Sequence, residues 1–217
     1  RIVPVFSRRD WRSPRLLQAM VALALAGGWT VFLGRIWARS EIITLGSGLS
    51  WMAGVLFLFN IAQLFREKKT VRPAPPLPYP AQAKADRIAT NFTRLSSLWL
   101  LVGLTIGFVI SLHEPDRGRW ELVWAHAMLV GFVLSMVAGV TYHVLPRWTT
   151  GRWETLTGLR IHWYVSLIAL PLMVLALAID SQTLFHMAAP IEAMVIVLWV
   201  ANCLPFLRNL PQPTMVG

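Results

Sequence analysis

The chain holds one cysteine, Cys203, among 217 residues. An internal disulfide, a Cys-ligated iron–sulfur cluster and covalent CxxCH haem attachment are all excluded, so any haem bound here is held non-covalently. Charge is scarce as well. Only 14% of residues are Asp, Glu, Lys or Arg, and acidic residues are half as numerous as basic ones. What fills the space is apolar: 56% hydrophobic residues and a mean hydropathy of +0.57 exclude an ordinary soluble domain. Several apolar runs reach the roughly 20 residues that cross a bilayer.

The reading is an all-α polytopic membrane protein with about six transmembrane helices, expected near Leu16–Trp37, Ile43–Phe65, Leu95–Leu112, Trp120–Leu145, Ile161–Ile179 and Phe185–Leu207. Net charge is +10, which by itself would suit nucleic acid, but the positions of the cations argue for lipid. Sixteen of the twenty Lys and Arg fall before span one, between spans two and three, between four and five, or after six; Arg35, Arg39, Arg117 and Arg119 fall on the other side. The positive-inside rule then places both termini in the cytoplasm of a bacterial-type inner membrane, with lipid and no nucleic acid as the partner of these charges. Trp120 and Trp124 at one end of span four, and Trp148, Trp153 and Trp163 at the other boundary, fit interfacial belts.

Val71 to Ala85, VRPAPPLPYPAQAKA, reads as an extended proline-rich cytoplasmic linker. It divides the chain into residues 1–66, a two-helix piece; 67–93, the linker; and 94–217, a four-helix piece. These pieces are related. At an offset of about 142 residues, without gaps, Pro4 meets Pro146, Trp11 meets Trp153, Met52 meets Met194, Asn60 meets Asn202 and Arg66 meets Arg208. Leu and Val matches are cheap in a membrane protein; Pro, Trp, Asn and Arg in one register are not. The repeat predicts a further upstream helix equivalent to span four, in keeping with a sequence that opens on Arg1. Both pieces share one topology, which argues against an inverted-repeat transporter.

Histidine is the other scarce residue, with five in the chain, and His126 stands inside a long apolar helix. An imidazole in hydrocarbon needs a partner, and haem iron is a frequent one. His113 ends span three and His186 begins span six, at the same outer level as His126. This layer is where two helices can supply the ligands of a six-coordinate haem. His143 lies 17 residues from His126, about 25 Å along a helix, so one haem is expected, in the outer layer. His143 and His162 read as interfacial residues that contact backbone or lipid headgroups. Ala127, Gly131, Ser135 and Gly139 recur every four residues and allow close approach of a helix or a flat macrocycle. Arg117 and Arg119 are candidates to hold haem propionates, or else loop charges in water. Glu192 either joins a proton path or bonds a group of the haem layer, and Asn60 and Asn202 are expected to bond between helices.

The helix-borne His126, the Gly-containing apolar run, the Tyr-His-Val-Leu-Pro-Arg of residues 142–147 and the Leu-Arg-Ile-His-Trp of residues 159–163 resemble helices two and three of the haem–copper oxidase catalytic subunit (subunit I) superfamily. The resemblance is nearest to the nitric oxide reductase, cbb-type oxidase and NnrS-type branches, and covers mainly Trp124 to Leu170. It implies arcs of four helices and a low-spin haem b ligand at His126. The family's copper site needs an HxH and an HH pair, and the chain has neither. The expected function is therefore a haem b-binding electron-transfer subunit of a respiratory-type complex, not catalytic alone, ligated by His126 and by His186, His113 or a histidine on the expected upstream helix. Its expected partners are other membrane subunits and a quinone or cytochrome c-type donor. The alternative is a cofactor-free subunit that anchors such a complex.

Overall fold

In the computed structural model the described residues are 13–66, 79–113, 117–149, 151–153 and 155–208. Pro4, Trp11 and linker residues 67–78 lie outside them. All regular structure among the described residues is helical: α1 (Pro14–Ile36), α2 (Ser40–Arg66), α3 (Gln82–Leu112), α4 (Arg117–His126), a π-helical segment (Ala127–Leu134), α5 (Ser135–Trp148), α6 (Thr157–Ala178) and α7 (Gln182–Arg208). The fourth span runs as one rod, Gly118–Trp148, so six helices are long and apolar enough to cross a membrane. Of the most apolar stretch of α1 only 6% is buried inside the protein. Trp29, Leu129 and Val197 are each more than 60% exposed. Apolar residues this open are stable where the surroundings are lipid, and the chain is a multi-pass membrane protein.

Local chemistry sets the helix ends. Ser13 caps α1, its hydroxyl accepting from the Leu16 N–H at 3.2 Å, with Pro14 in the first turn where no N–H is needed. α1 stops at a tight turn in which Ala38 adopts φ 52°, and α6 stops at a turn in which Asp180 adopts φ 54°. These two residues are equivalent in the repeat, and their turns agree bond for bond. Trp37 N–H donates to Leu33 O at 3.0 Å, as Ile179 does to Leu175; Ala38 donates to Arg35 O at 3.3 Å, as Asp180 does to Leu177; Arg39 donates to Gly34 O at 2.9 Å, as Ser181 does to Ala176 at 3.0 Å. The 27 residues of α2 and the 27 of α7 start and end at the same offset. The internal repeat is thus a repeated helical hairpin.

The seam of each hairpin repeats too. Gly27 and Gly34 of α1 and Gly46 of α2 let the two backbones approach so closely that a Cβ on Gly27 would meet the Ser50 backbone N at 2.7 Å, and one on Gly46 the Val31 N at 2.5 Å. Their counterparts Ala169, Ala176 and Ala188 are all buried at 1% or less. Close packing of small residues is what holds helices together where lipid removes the hydrophobic drive between them.

Two compact units result. Unit 1 comprises residues 1–75 and 100–124, and unit 2 residues 76–99 and 125–217, a division that differs from the linear one in grouping 100–124 with the first hairpin and not with the rest of 94–217. In unit 1, Thr44 Oγ1 donates to Ser111 O at 2.6 Å and Trp51 Nε1 to Thr105 Oγ1 at 3.0 Å, fastening α2 to the last part of α3. The main correction to the expected spans is α3, which begins at Gln82 and not near Leu95. Residues 82–93 are helix, although hydropathy assigned them to the linker. Ala85, Ala89, Phe92 and Ser96, at helical spacing, are each 1% exposed or less. That stripe faces protein, and the polar residues among it find partners there.

The left-handed turn residues yield a test. An Ala at φ 52° carries a Cβ penalty that Gly lacks. Ala38→Gly is expected to stabilise the protein by about 0.5–1 kcal/mol, and Asp180→Gly by less, because Asp tolerates this conformation. Thermal unfolding in detergent monitored by circular dichroism checks both; a lower midpoint for Ala38→Gly would contradict the assignment of the turn.

Candidate functional site

The polar interior of unit 2 is built from α3, α5, α6 and α7. On α3, Gln82, Asp86 and Thr90 follow at one-turn intervals; on α5, His143 and Arg147 do the same, so the two helices present facing polar rows. Arg147 grips Asp86 with both ends of its guanidinium, Nη2 to Oδ2 at 2.6 Å and Nη1 to Oδ1 at 3.0 Å. His143 Nδ1 donates to Asp86 Oδ1 at 2.9 Å, and Gln82 Nε2 donates to the same oxygen at 2.7 Å. Arg147 Nη1 also donates to the His143 carbonyl. A carboxylate with a bidentate Arg and two further donors is a saturated acceptor.

One turn away lies a second chain of bonds. Tyr142, fully buried, accepts from Asn202 Nδ2 at 3.1 Å and meets His162 Nδ1 at 2.7 Å. Asn202 Nδ2 can only donate, so the phenol proton has its acceptor in Nδ1, and the His162 ring then carries its proton on Nε2. That nitrogen is buried and has no hydrogen-bond partner among the described residues. The His162 ring lies against Phe92 at 4.7 Å between centroids, and Tyr142 stands edge-on to Trp153 at 5.5 Å. Trp153 N–H donates to Tyr79 Oη at 2.9 Å. Burial raises the Tyr79 phenol above its usual value near 10, so it stays a neutral anchor for the loop before α6.

This corrects the reading of His143 and His162 as interfacial residues. They are 5% and 0% exposed and are bonded to Asp86 and Tyr142. The reason is the early start of α3, which brings Asp86 and Phe92 to α5 and α6. Asn202 does bond between helices, as expected; Asn60, its counterpart, is buried with Nδ2 unpartnered among the described residues.

The residues expected in an outer haem layer are placed as follows. His126 ends α4, where the π-helical segment begins, and its Nε2 lies 3.7 Å from Glu192 Oε2, with 31% of the imidazole and 10% of the carboxylate side chain exposed. His186 is exposed, with Phe185 as its ring neighbour at 6.0 Å. It precedes Glu192 by six residues, about 240° round α7, so it does not share the face that Glu192 turns to His126. His113 belongs to unit 1, exposed after the end of α3, with Nδ1 3.4 Å from Val109 O. It lines an apolar hollow of about 390 Å³ with Trp120. Arg119, also in unit 1, lies 6.0 Å from the Trp120 ring centroid, and the side chain of Arg117 lies outside the described residues. The small-residue stripe is filled by α3: a Cβ on Gly131 would meet the Trp99 ring at 2.7 Å, and one on Gly139 the Ala89 carbonyl at 2.9 Å. Among the described residues no three His, Cys, Asp or Glu side chains are grouped to hold a metal ion. The residue that sequence reasoning missed is Asp86, which hydropathy hid in the linker; the Gln82, Asp86, Thr90 spacing was the available signal.

Tyr142→Phe strands Asn202 Nδ2 and His162 Nδ1, and is expected to cost about 1–3 kcal/mol. Asp86→Asn leaves Arg147 without its counter-charge and is expected to cost about 3 kcal/mol, the lower end for a broken buried pair because both side chains keep about a fifth of their exposure. The double variant Asp86→Asn, Arg147→Met should lose less than Asp86→Asn alone. Denaturant titration in detergent measures all three; a double variant no more stable than Asp86→Asn would refute the coupling. No family model, curated protein or solved structure matches this chain.

Proposed function

We propose that the chain is a haem b-holding membrane subunit of a respiratory-type electron-transfer complex, with His126 as its axial ligand to the iron. The observation that carries this reading is the His126–Glu192 pair at 3.7 Å on two membrane-crossing helices. Ionisable residues inside a membrane mark functional sites by default. A carboxylate beside the imidazole nitrogen that is not bound to metal orients the ring and raises its basicity; Glu192 faces Nε2, so in this role Nδ1 would be the iron ligand. The other two histidines of the unit 2 interior are bonded to Asp86 and Tyr142. The residues fit one axial ligand. His186 lies on another face of α7, so we assign the second ligand to a residue other than His186. Bound haem supplies one-electron chemistry, while His126 and Glu192 hold and orient it.

We place both termini in the cytoplasm of a bacterial-type inner membrane, on the strength of the Lys and Arg asymmetry. A quinone or a cytochrome c-type donor is the redox partner. One observation favours the second reading, a cofactor-free anchoring subunit: the side of the fourth span that could admit a macrocycle is occupied by Trp99, Thr93 and Ala89 of α3.

The dithionite-reduced minus oxidised spectrum of the purified protein, with a pyridine haemochrome, separates the two. A b-type signal is expected in wild type and absent from His126→Ala. Glu192→Gln should retain haem with a raised midpoint potential, since the ligand loses basicity. Haem-free but well-folded wild type would establish the anchoring role instead. For topology, in a Cys203→Ser background, an impermeant maleimide applied to intact cells should label Arg39→Cys and spare Arg152→Cys; the reverse pattern would invert the orientation.

A further inference from the structure

Unit 1 contains a cleft of about 760 Å³ between α1, α2 and the adjoining parts of α3 and α4. Its mouth is charged. Arg35 in the last turn of α1, Ser40 at the start of α2 and Glu121 on α4 line it, all exposed. Neither Arg35 nor Glu121 has an ion-pair partner within 4.0 Å among the described residues. Its floor is small and apolar, with Gly28, Leu104 and Phe108, and two hydroxyls, Ser47 and Ser50, on the wall. Gly28 lies seven residues before Arg35, about 10 Å along α1 from the mouth. A Cβ on Gly28 would touch nothing within 4 Å.

The repeat shows that this space is a departure from the common plan. Gly28, Val31 and Arg35 correspond to Leu170, Met173 and Leu177. Leu170 and Met173 are each 3% exposed, so the second hairpin fills with core side chains the position that the first leaves open and lines with charge. The seam glycines Gly27 and Gly34 keep small counterparts, whereas the cleft positions do not. The opening is local to the face that carries Arg35 and Ser47.

We infer that this cleft binds a single phospholipid whose headgroup carries both a phosphate and an amine, as phosphatidylethanolamine does. Arg35 forks onto the phosphate oxygens and Glu121 takes the ammonium; the Ser40 hydroxyl stands at the same end to bond a remaining oxygen. The first part of an acyl chain lies along Gly28, Leu104 and Phe108. The carboxylate of Glu121 sets the headgroup, since a lipid with phosphate alone would bring a second negative charge to it unpaired. The apolar floor sets the source: a free zwitterion of the same chemistry would fill the mouth and leave the apolar depth down to Gly28 without an occupant. The cleft lies wholly in unit 1, and its reading stands apart from haem binding by His126.

The test uses delipidated protein in detergent and native mass spectrometry with three probes: dioleoyl phosphatidylethanolamine, dioleoyl phosphatidylglycerol and chain-free phosphoethanolamine. Wild type is expected to bind one phosphatidylethanolamine at least tenfold more tightly than phosphatidylglycerol, and phosphoethanolamine should not displace it at equal concentration. Arg35→Ala should weaken both lipids at least tenfold, and Glu121→Gln should erase the preference between them. Gly28→Leu, which copies the second repeat, should lose the bound lipid while keeping its thermal midpoint and monodispersity. Equal binding of the two lipids by wild type, unchanged binding by Gly28→Leu, or displacement by phosphoethanolamine would each overturn the proposal.

Discussion

Asp86 is the point on which the interior of unit 2 depends. Four donors converge on one carboxylate: both ends of Arg147, His143 and Gln82. Asp86 and Arg147 keep only about a fifth of their side-chain exposure, so most of their hydrogen bonding must be satisfied inside the protein. Their mutual bonding fixes α3 against α5 in one register, because a shift of one residue would part every pair at once. The Tyr142 chain follows from that register. Once α5 is held, Tyr142 stands between Asn202 and His162 and links α7 to α6, and the aromatic packing of Phe92, Trp153 and Phe206 closes around it.

The two hairpins answer the same constraint with apolar means. Gly27, Gly34 and Gly46, and their counterparts Ala169, Ala176 and Ala188, bring backbones together where no hydrophobic force between helices is available. The turns at Ala38 and Asp180 keep one geometry at equivalent positions of the two repeats. On this shared frame the repeats diverge at a few positions. Ser50 of the first is Glu192 of the second, which meets His126; Gly28 of the first is Leu170 of the second. The second hairpin carries Glu192, which meets His126 of α4, and a filled seam; the first lines a cleft with a charged mouth. Repetition of the scaffold and divergence of the side chains that face inward account for both candidate sites.

The sequence by itself determined the class and the count: low charge, long apolar runs and basic residues concentrated in alternate connections leave six membrane helices as the arrangement that satisfies the backbone. It also carried the repeat, since Asn60 and Asn202 or Arg66 and Arg208 align without gaps. Identity matching could not see the seam, because Gly in one hairpin is Ala in the other, and closeness of approach depends on size and not on residue type. What only the tertiary structure decided is where polar residues find partners. Residues 82–93 looked like linker because hydropathy adds up single residues, whereas burial of Asp86 is made tolerable by Arg147, 61 positions away. His143 and His162 looked interfacial for the same reason. The pairing of His126 with Glu192 and the cleft beside Gly28 arise from helices separated in the chain. A linear sequence records which groups need a partner, and only the packing of the helices records which partner each one has.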